Sequence, residues 1–309
     1  MTAPNHSATV RDWWQAARPH TWANAFAPVV AGTGAAAFHG GAHLGRALLA
    51  LIVSWALIVG VNYANDYSDG IRGTDDDRTG PARLTASGSV PPERVKSAAF
   101  VSFFVAAAAG VILAVMSAWW LVLVGALCIA AAWFYTGGKN PYGYQGLGEV
   151  AVFIFFGLVA VMGTEFTQSG SVTWVGFLIA VAIGSISAAV NLANNIRDIP
   201  TDAVAGKNTL AVRLGDVRAR RVFTFLTLTP FAASFVLAIA YLPVLIALVA
   251  LPLAVASTLK VMRGARGPEL IPVLGLNGKA MLTWAVVTAL ALAWGGSMLF
   301  SYAPLAGPR

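Results

Sequence analysis

Nine stretches of about twenty mostly apolar residues recur along the chain, and they restrict its fold more than any motif does. They centre near Val29, Leu57, Ala107, Leu127, Phe156, Ile183, Phe231, Leu248 and Thr288. Some 20 apolar residues carry a helix across the hydrocarbon core of a bilayer. In that medium only helices and closed barrels satisfy every backbone polar group. The pattern therefore predicts an all-α, polytopic membrane protein of nine transmembrane helices. Charged residues make up 11% of the 309, where an ordinary soluble domain carries about 25%. The opening "MTAPNHSATVRDWW" is polar and then amphipathic, so Trp13 and Trp14 read as an interfacial lead-in rather than as part of a cleavable signal.

Charge placement fixes an orientation. With the N-terminus in the cytoplasm, 18 of the 20 lysines and arginines fall in inside segments, leaving Arg46 and Arg309 outside. This is the positive-inside pattern. Most of the net charge of +7 is then topological, which points to a lipid bilayer as partner and away from nucleic acid. Twelve of the thirteen acidic residues also lie on or beside the inner face, Glu165 being the exception. Any chemistry is expected at the cytoplasmic mouth. Cys128 is alone, so no intramolecular disulfide forms, and His6, His20, His39 and His43 show no metal-ligand spacing.

Two stretches repeat each other. "NYANDYSD" (Asn62 to Asp69) and "NLANNIRD" (Asn191 to Asp198) both read N-x-A-N-[DN]-x-x-D, and each closes a segment running from outside to inside. The match predicts two parallel four-helix copies in one domain spanning 1–309: about 19–137 and 147–262, with a ninth helix at about 279–301. A central cavity open to the cytoplasm would lie where the copies meet. Asn62, Asp66 and Asp69 share one helical face, and Asn191, Asn195, Asp198 and Asp202 continue the equivalent stripe. Facing stripes of carboxylate and amide oxygens suit magnesium, which shares its shell readily with phosphates. Flanking arginines and lysines would bind what the metal leaves exposed.

Each element also has a plainer reading. A single D-x-x-D at a helix end is usually solvated charge, and Asp75, Asp76 and Asp77 are mostly that, although Asp75 could lean in as a ligand. Asp198 and Asp202 could simply pair with Arg197 or Arg213. Polar stripes repeated at two span ends shift the balance, because such groups are expensive at a membrane and tend to be functional. "AGKNT" (Ala205 to Thr209) is not a Walker loop, since Thr201 stands where the first glycine belongs, but Lys207 remains a candidate phosphate contact. A transporter would place its polar groups near the midplane rather than at one mouth.

These residues resemble the UbiA-type intramembrane aromatic prenyltransferases, and within them the branch that makes demethylmenaquinone from 1,4-dihydroxy-2-naphthoate. Asn65-Asp66-x-x-Asp69 resembles the family's first aspartate-rich motif, Asp198 and Asp202 its second, and Tyr135 and Lys139 in "YTGGK" its Y-x-x-x-K. The runs "NDYSDGIRGTDDDRTGPARLTASG" and "RPHTWANAFAPVVAG" are similar to the naphthoate branch. Many relatives carry a further aspartate where Gly73 stands here, with Asp75 two positions beyond.

The resemblance implies a magnesium-dependent enzyme of the bacterial plasma membrane. Its substrates would be a polyprenyl diphosphate and 1,4-dihydroxy-2-naphthoate, the latter losing its carboxyl group; prenylation of 4-hydroxybenzoate or another phenol is the alternative. Asp66, Asp69, Asp198 and Asp202 would hold the metal. Asn62, Asn65, Asn191, Asn194, Asn195, Arg72, Lys139 and Lys207 would contact the diphosphate or orient the carboxylates. Tyr135 would face the allylic cation or position the acceptor, core packing being the plainer reading. Arg18 is the candidate cation for the acceptor's carboxylate, with Asn24 lining the same cavity. Glu149 reads as a helix-start acid.

Overall fold

The computed structural model describes residues 8–73 and 83–301, with side chains through Met298. Among the described residues there is no strand. A short interfacial helix, α1 (Val10–Ala16), is closed by a capping box in which Thr9 and Asp12 satisfy each other's backbone N–H groups. Five helices follow: α2 (Ala23–Phe38), α3 (Leu44–Gly70), α4 (Pro92–Met116), α5 (Leu121–Phe134) and α6 (Gly148–Ser169). Then come α7 (Trp174–Arg197), α8 (Ile199–Val204), α9 (Leu210–Leu214), α10 (Asp216–Leu237), α11 (Leu242–Met262) and α12 (Ile271–Ser301).

Six of these are long and apolar enough to cross a membrane: α3, α4, α6, α7, α11 and α12 with its leading turn from Gly267. The apolar segments centred near Val29 and Leu127 fall on shorter helices of 16 and 14 residues. The segment near Phe231 falls on α10, whose first turns carry Asp216, Arg218, Arg220 and Arg221.

The bundle is organised around α7. Of its apolar span 78% is buried, against 28–50% for the other five long helices. Packing against it are α6, α10 and, less extensively, α2 and α12, while α3 and α4 form the closest pair on the other flank. Large apolar side chains such as Phe104, Val115 and Leu127 point outward. That surface is at home in lipid, which offers no hydrophobic drive between helices. Close approach and interhelical hydrogen bonds take over. Trp284 donates its indole N–H to Ser234 at 2.9 Å, and Asn277 donates to Thr227 at 3.2 Å. Arg220, buried, donates to the carbonyl oxygens of Val261 and Ala265 and pairs with Asp216, tying α10 to the C-terminal end of α11.

Glycines let the helices approach closely. A Cβ on Gly157 of α6 would lie 2.5 Å from the Gly184 Cα of α7 and 2.7 Å from the Ala180 carbonyl oxygen. The surrounding segment Phe153–Met162 is π-helical, a widened geometry that recurs at functional sites. Gly157→Val should therefore separate α6 from α7 and cost about 1–3 kcal/mol, read as a lower unfolding temperature in detergent. Gly163→Ala, whose Cβ would meet no atom within 4 Å, should leave that temperature unchanged or slightly higher.

Candidate functional site

The two matched stretches end α3 and α7, and the structure brings them to one polar cavity of about 100 Å³. Asn65 and Asp69 come from the first stretch, and Asn191, Asn194, Asn195 and Asp198 from the second. Asp202 on α8, Lys207 in the following loop, Arg18 and Arg83 also line it. Three carboxylates and three cations thus share the lining. A larger, mostly apolar cavity of about 290 Å³ adjoins it, walled by α3, α4, α5 and the π-helical part of α6. Arg18, Asn65, Tyr135, Asn191 and Asn194 belong to both walls and mark the seam.

Asp69 is the centre of the polar cavity. Its Oδ1 accepts a hydrogen bond from the Tyr144 hydroxyl at 2.5 Å and lies 3.5 Å from the Lys207 ammonium. Its Oδ2 lies 3.7 Å from the Arg83 guanidinium. Asp198 receives both arms of its neighbour Arg197 at 2.7 Å, so the plainer pairing open to it in the sequence is realised while it still lines the cavity. Asn65 accepts from the Thr136 hydroxyl at 2.8 Å, and Asn195 donates to buried Glu149 at 2.6 Å. Tyr135 donates to Asn191 Oδ1 at 3.3 Å.

Arg18 holds its place at a conformational cost. It is the one non-glycine residue with a left-handed backbone among the described residues, at φ 51°, a state worth about 1–3 kcal/mol of strain. The bonds around it impose that state. Thr21 donates to the Arg18 carbonyl at 2.8 Å, while Trp22 and Asn62 donate to the Ala17 carbonyl at 2.9 and 3.0 Å. Asn62 is thus a tether between α3 and the lead-in, on the wall of the apolar cavity only. Asn24 lines that cavity too, and its buried Oδ1 has no hydrogen-bond partner among the described residues.

Three residues expected at the metal or the diphosphate line neither cavity. Asp66 is fully buried, lines neither cavity, and accepts the backbone N–H groups of Leu84 and Thr85 at 3.0 and 2.9 Å. It shapes the loop that delivers Arg83. Lys139 is exposed and lines neither cavity, whereas Lys207 and Arg83 line the polar one. Arg72 is also outside, donating to the carbonyl oxygens of Thr136 and Gly138. Asp75 lies outside the described residues, as do Asp76, Asp77 and Arg78.

Sequence reasoning missed Arg83 and Tyr144. Arg83 is one of five cations in a charged loop and Tyr144 one of three tyrosines in a short stretch; spacing distinguishes neither.

The donor set fits magnesium. The cavity wall offers carboxylate, amide and hydroxyl oxygens with no sulfur or imidazole, and the buried Thr209 hydroxyl on it has no partner among the described residues. Among the described residues no three His, Cys, Asp or Glu side chains form a ready ion site. Magnesium does not require one, because it keeps several waters and is commonly bound through one or two carboxylates plus phosphate oxygens.

Residues 25–270 match the UbiA prenyltransferase family. The chain is 56% identical to the 1,4-dihydroxy-2-naphthoate octaprenyltransferase of Mycobacterium tuberculosis (strain ATCC 25618 / H37Rv), over 93% of this chain and 99% of that one. The protein of the same description from Escherichia coli (strain K12) is 39% identical over 72% of this chain and 74% of its own length. Among solved structures, a UbiA homolog from Archaeoglobus fulgidus bound to GPP and Mg2+ superposes with a TM-score of 0.62. It is 17% identical and the match covers 90% of this chain and 99% of that one, a likeness of fold.

Asp66 supplies the sharpest test of the site's geometry. Asp66→Ala strands two backbone N–H groups, one of them buried, and should cost about 1–3 kcal/mol for each, seen as a lower unfolding temperature and faster proteolysis near Leu84. Asp66→Asn keeps one acceptor oxygen and should lose roughly half as much. An alanine variant as stable as the parent would return Asp66 to the metal site.

Proposed function

We propose, given that the chain belongs to the UbiA prenyltransferase family, that it transfers a polyprenyl group from polyprenyl diphosphate to 1,4-dihydroxy-2-naphthoate. The carboxyl group is lost and demethylmenaquinol is formed, a step of menaquinone biosynthesis. One observation carries this reading: a charged cavity and a mostly apolar one meet along a shared wall. The first suits a diphosphate, the second a polyprenyl tail and an aromatic ring.

Charge decides the cofactor. Three cations already face three carboxylates, so the lining alone cannot neutralise an incoming diphosphate, and divalent ions have to enter with it. Asp69, Asp198 and Asp202 would hold magnesium, with Asn191, Asn194 and Asn195 orienting those carboxylates or the diphosphate. Bound there, magnesium supplies the neutralisation of charge that builds on the departing diphosphate. Lys207, Arg83 and Arg18 add their own cationic contacts to the same oxygens.

The bond between the allylic carbon and the diphosphate oxygen breaks with its electron pair going to pyrophosphate. Tyr135, at the seam, presents a ring face to the developing allylic cation. The apolar walls keep water from quenching it. An electron-rich ring carbon attacks, and departure of the carboxyl group as carbon dioxide returns its electron pair to the ring. Arg18 would orient the acceptor's carboxylate, and Asn24 Oδ1 would accept from a ring hydroxyl, which gives that buried atom its partner.

The same reading places nine spans in a bacterial plasma membrane as two four-helix copies plus one. The N-terminus and the polar mouth would face the cytoplasm. Support comes from the lopsided lysines and arginines and from the matched stripes.

Purified protein given 1,4-dihydroxy-2-naphthoate, geranylgeranyl or longer diphosphate and magnesium should yield a prenylated naphthoquinol lacking the carboxyl group, identified by mass. Chelation should abolish the product and magnesium restore it. Product formed only from 4-hydroxybenzoate, or undiminished after exhaustive chelation, would overturn the reading. Lys207→Met should lower turnover by about 100-fold or more, the scale of a lost charge-stabilising donor. Lys139→Met should stay near the parent. The reverse order would return Lys139 to the leaving group.

A further inference from the structure

Tyr144 belongs to neither aspartate stripe nor to any cation set, yet it touches the centre of the polar cavity. It sits in the turn Tyr142–Gln145, ahead of α6. Its hydroxyl donates to Asp69 Oδ1 at 2.5 Å. Its ring lies 4.6 Å from the Lys207 ammonium and 5.6 Å from the Arg72 guanidinium. The two ends of the side chain do different things. A phenol bonded to a carboxylate oxygen fixes the direction in which that carboxylate points. A ring face attracts an ammonium without fixing it in a directional hydrogen bond. Lys207 thus stays 3.5 Å from Asp69 Oδ1, longer than the 2.7–2.9 Å of a tight charged contact. It is held near the carboxylate without being committed to it.

The geometry points to Tyr144 as a positioning residue with two separable functions: its hydroxyl sets Asp69 for the metal, and its ring carries Lys207 for the diphosphate. Arg72 anchors the arrangement from outside, since its bonds to the Thr136 and Gly138 carbonyls fasten the α5–α6 connection to the end of α3. When a diphosphate arrives, Lys207 turns from Asp69 to the anion while remaining on the ring, and Asp69 becomes available to magnesium. Metal and diphosphate binding are therefore mutually favourable, each releasing a partner of the other. This inference rests on the prenyl-transfer reading above.

The test is calorimetric binding of inorganic pyrophosphate to the purified full chain in detergent, titrated at several magnesium concentrations. Tyr144→Phe keeps the ring and loses the hydroxyl. It should raise the magnesium needed for half-maximal pyrophosphate binding about tenfold, the scale of one hydrogen bond to a charged group. Its pyrophosphate affinity at saturating magnesium should change less than about threefold, because the ring–ammonium contact survives. Tyr144→Leu should show the same magnesium shift and a further loss of about tenfold in pyrophosphate affinity. Turnover with prenyl diphosphate should follow the split, with the phenylalanine variant rescued toward the parent at high magnesium and the leucine variant not. If Tyr144→Leu does not fold, the magnesium curve of Tyr144→Phe decides alone. Parent protein that binds pyrophosphate beside variants with unchanged curves would overturn the role of Tyr144 and leave the prenyl-transfer reading intact. Parent protein that binds no pyrophosphate at any magnesium concentration would overturn both.

Discussion

A buried carboxylate must find countercharge or lose its ionisation, and in a membrane protein that requirement is severe. Asp69 meets it with the Lys207 ammonium, the Arg83 guanidinium and the Tyr144 hydroxyl. Much of the local architecture follows. Arg83 reaches Asp69 because Asp66, three residues earlier, pins the backbone of Leu84 and Thr85. Lys207 reaches it because the loop after α8 turns back, its N–H bonded to the Asp202 carbonyl at 2.8 Å. Tyr144 reaches it because Arg72 ties the α5–α6 connection to the end of α3. Residues that look like a ligand set in the sequence are in part the scaffold that brings cations to one ligand.

This division explains what the sequence could and could not disclose. Helix-length apolar runs and the polar stripes are legible because burial periodicity and span length are local properties. Of the stripes read from helical spacing, Asp69, Asn191, Asn195, Asp198 and Asp202 share one cavity, joined by Asn65 and Asn194, while Asn62 and Asp66 stand outside it. Helical spacing puts Asp66 on the stripe with Asp69, but spacing does not tell which carboxylate a returning loop will cap. Lys139 stands outside both linings because a cation four residues past Tyr135 need not follow it inward once the helix has ended at Phe134. Arg83 and Tyr144 were illegible because they arrive through loops, whose long-range course no local pattern encodes.

The apolar chamber depends on a different economy. Membrane helices gain little from hiding apolar surface from one another, so a cavity of about 290 Å³ has to be held open by backbone geometry. Gly157 and Gly184 lock α6 to α7 on the buried side. The π-helical stretch then turns Phe155, Phe156 and Val159 toward the chamber. The same helix therefore serves as close-packed partner on one face and chamber wall on the other.

Charge in the two halves of the site bears on what the proposed reaction can bring there together. Both stripes lie at helix C-termini, α3 ending at Gly70 and α7 at Arg197, where the backbone dipole is negative and favours cations. Proteins that bind phosphate on a helix N-terminus draw on the opposite pole. Here the backbone repels an anion, and only side-chain cations and bound metal can reverse that field. Arg18, Arg83 and Lys207 share the lining with Asp69, Asp198 and Asp202, so its formal charges balance. A metal entering alone would crowd the three cations, and an anion entering alone would crowd the three carboxylates. Under the proposed reaction, a metal and a diphosphate arriving together would each cancel the charge that opposes the other, so a lining balanced in this way would favour the pair over either component.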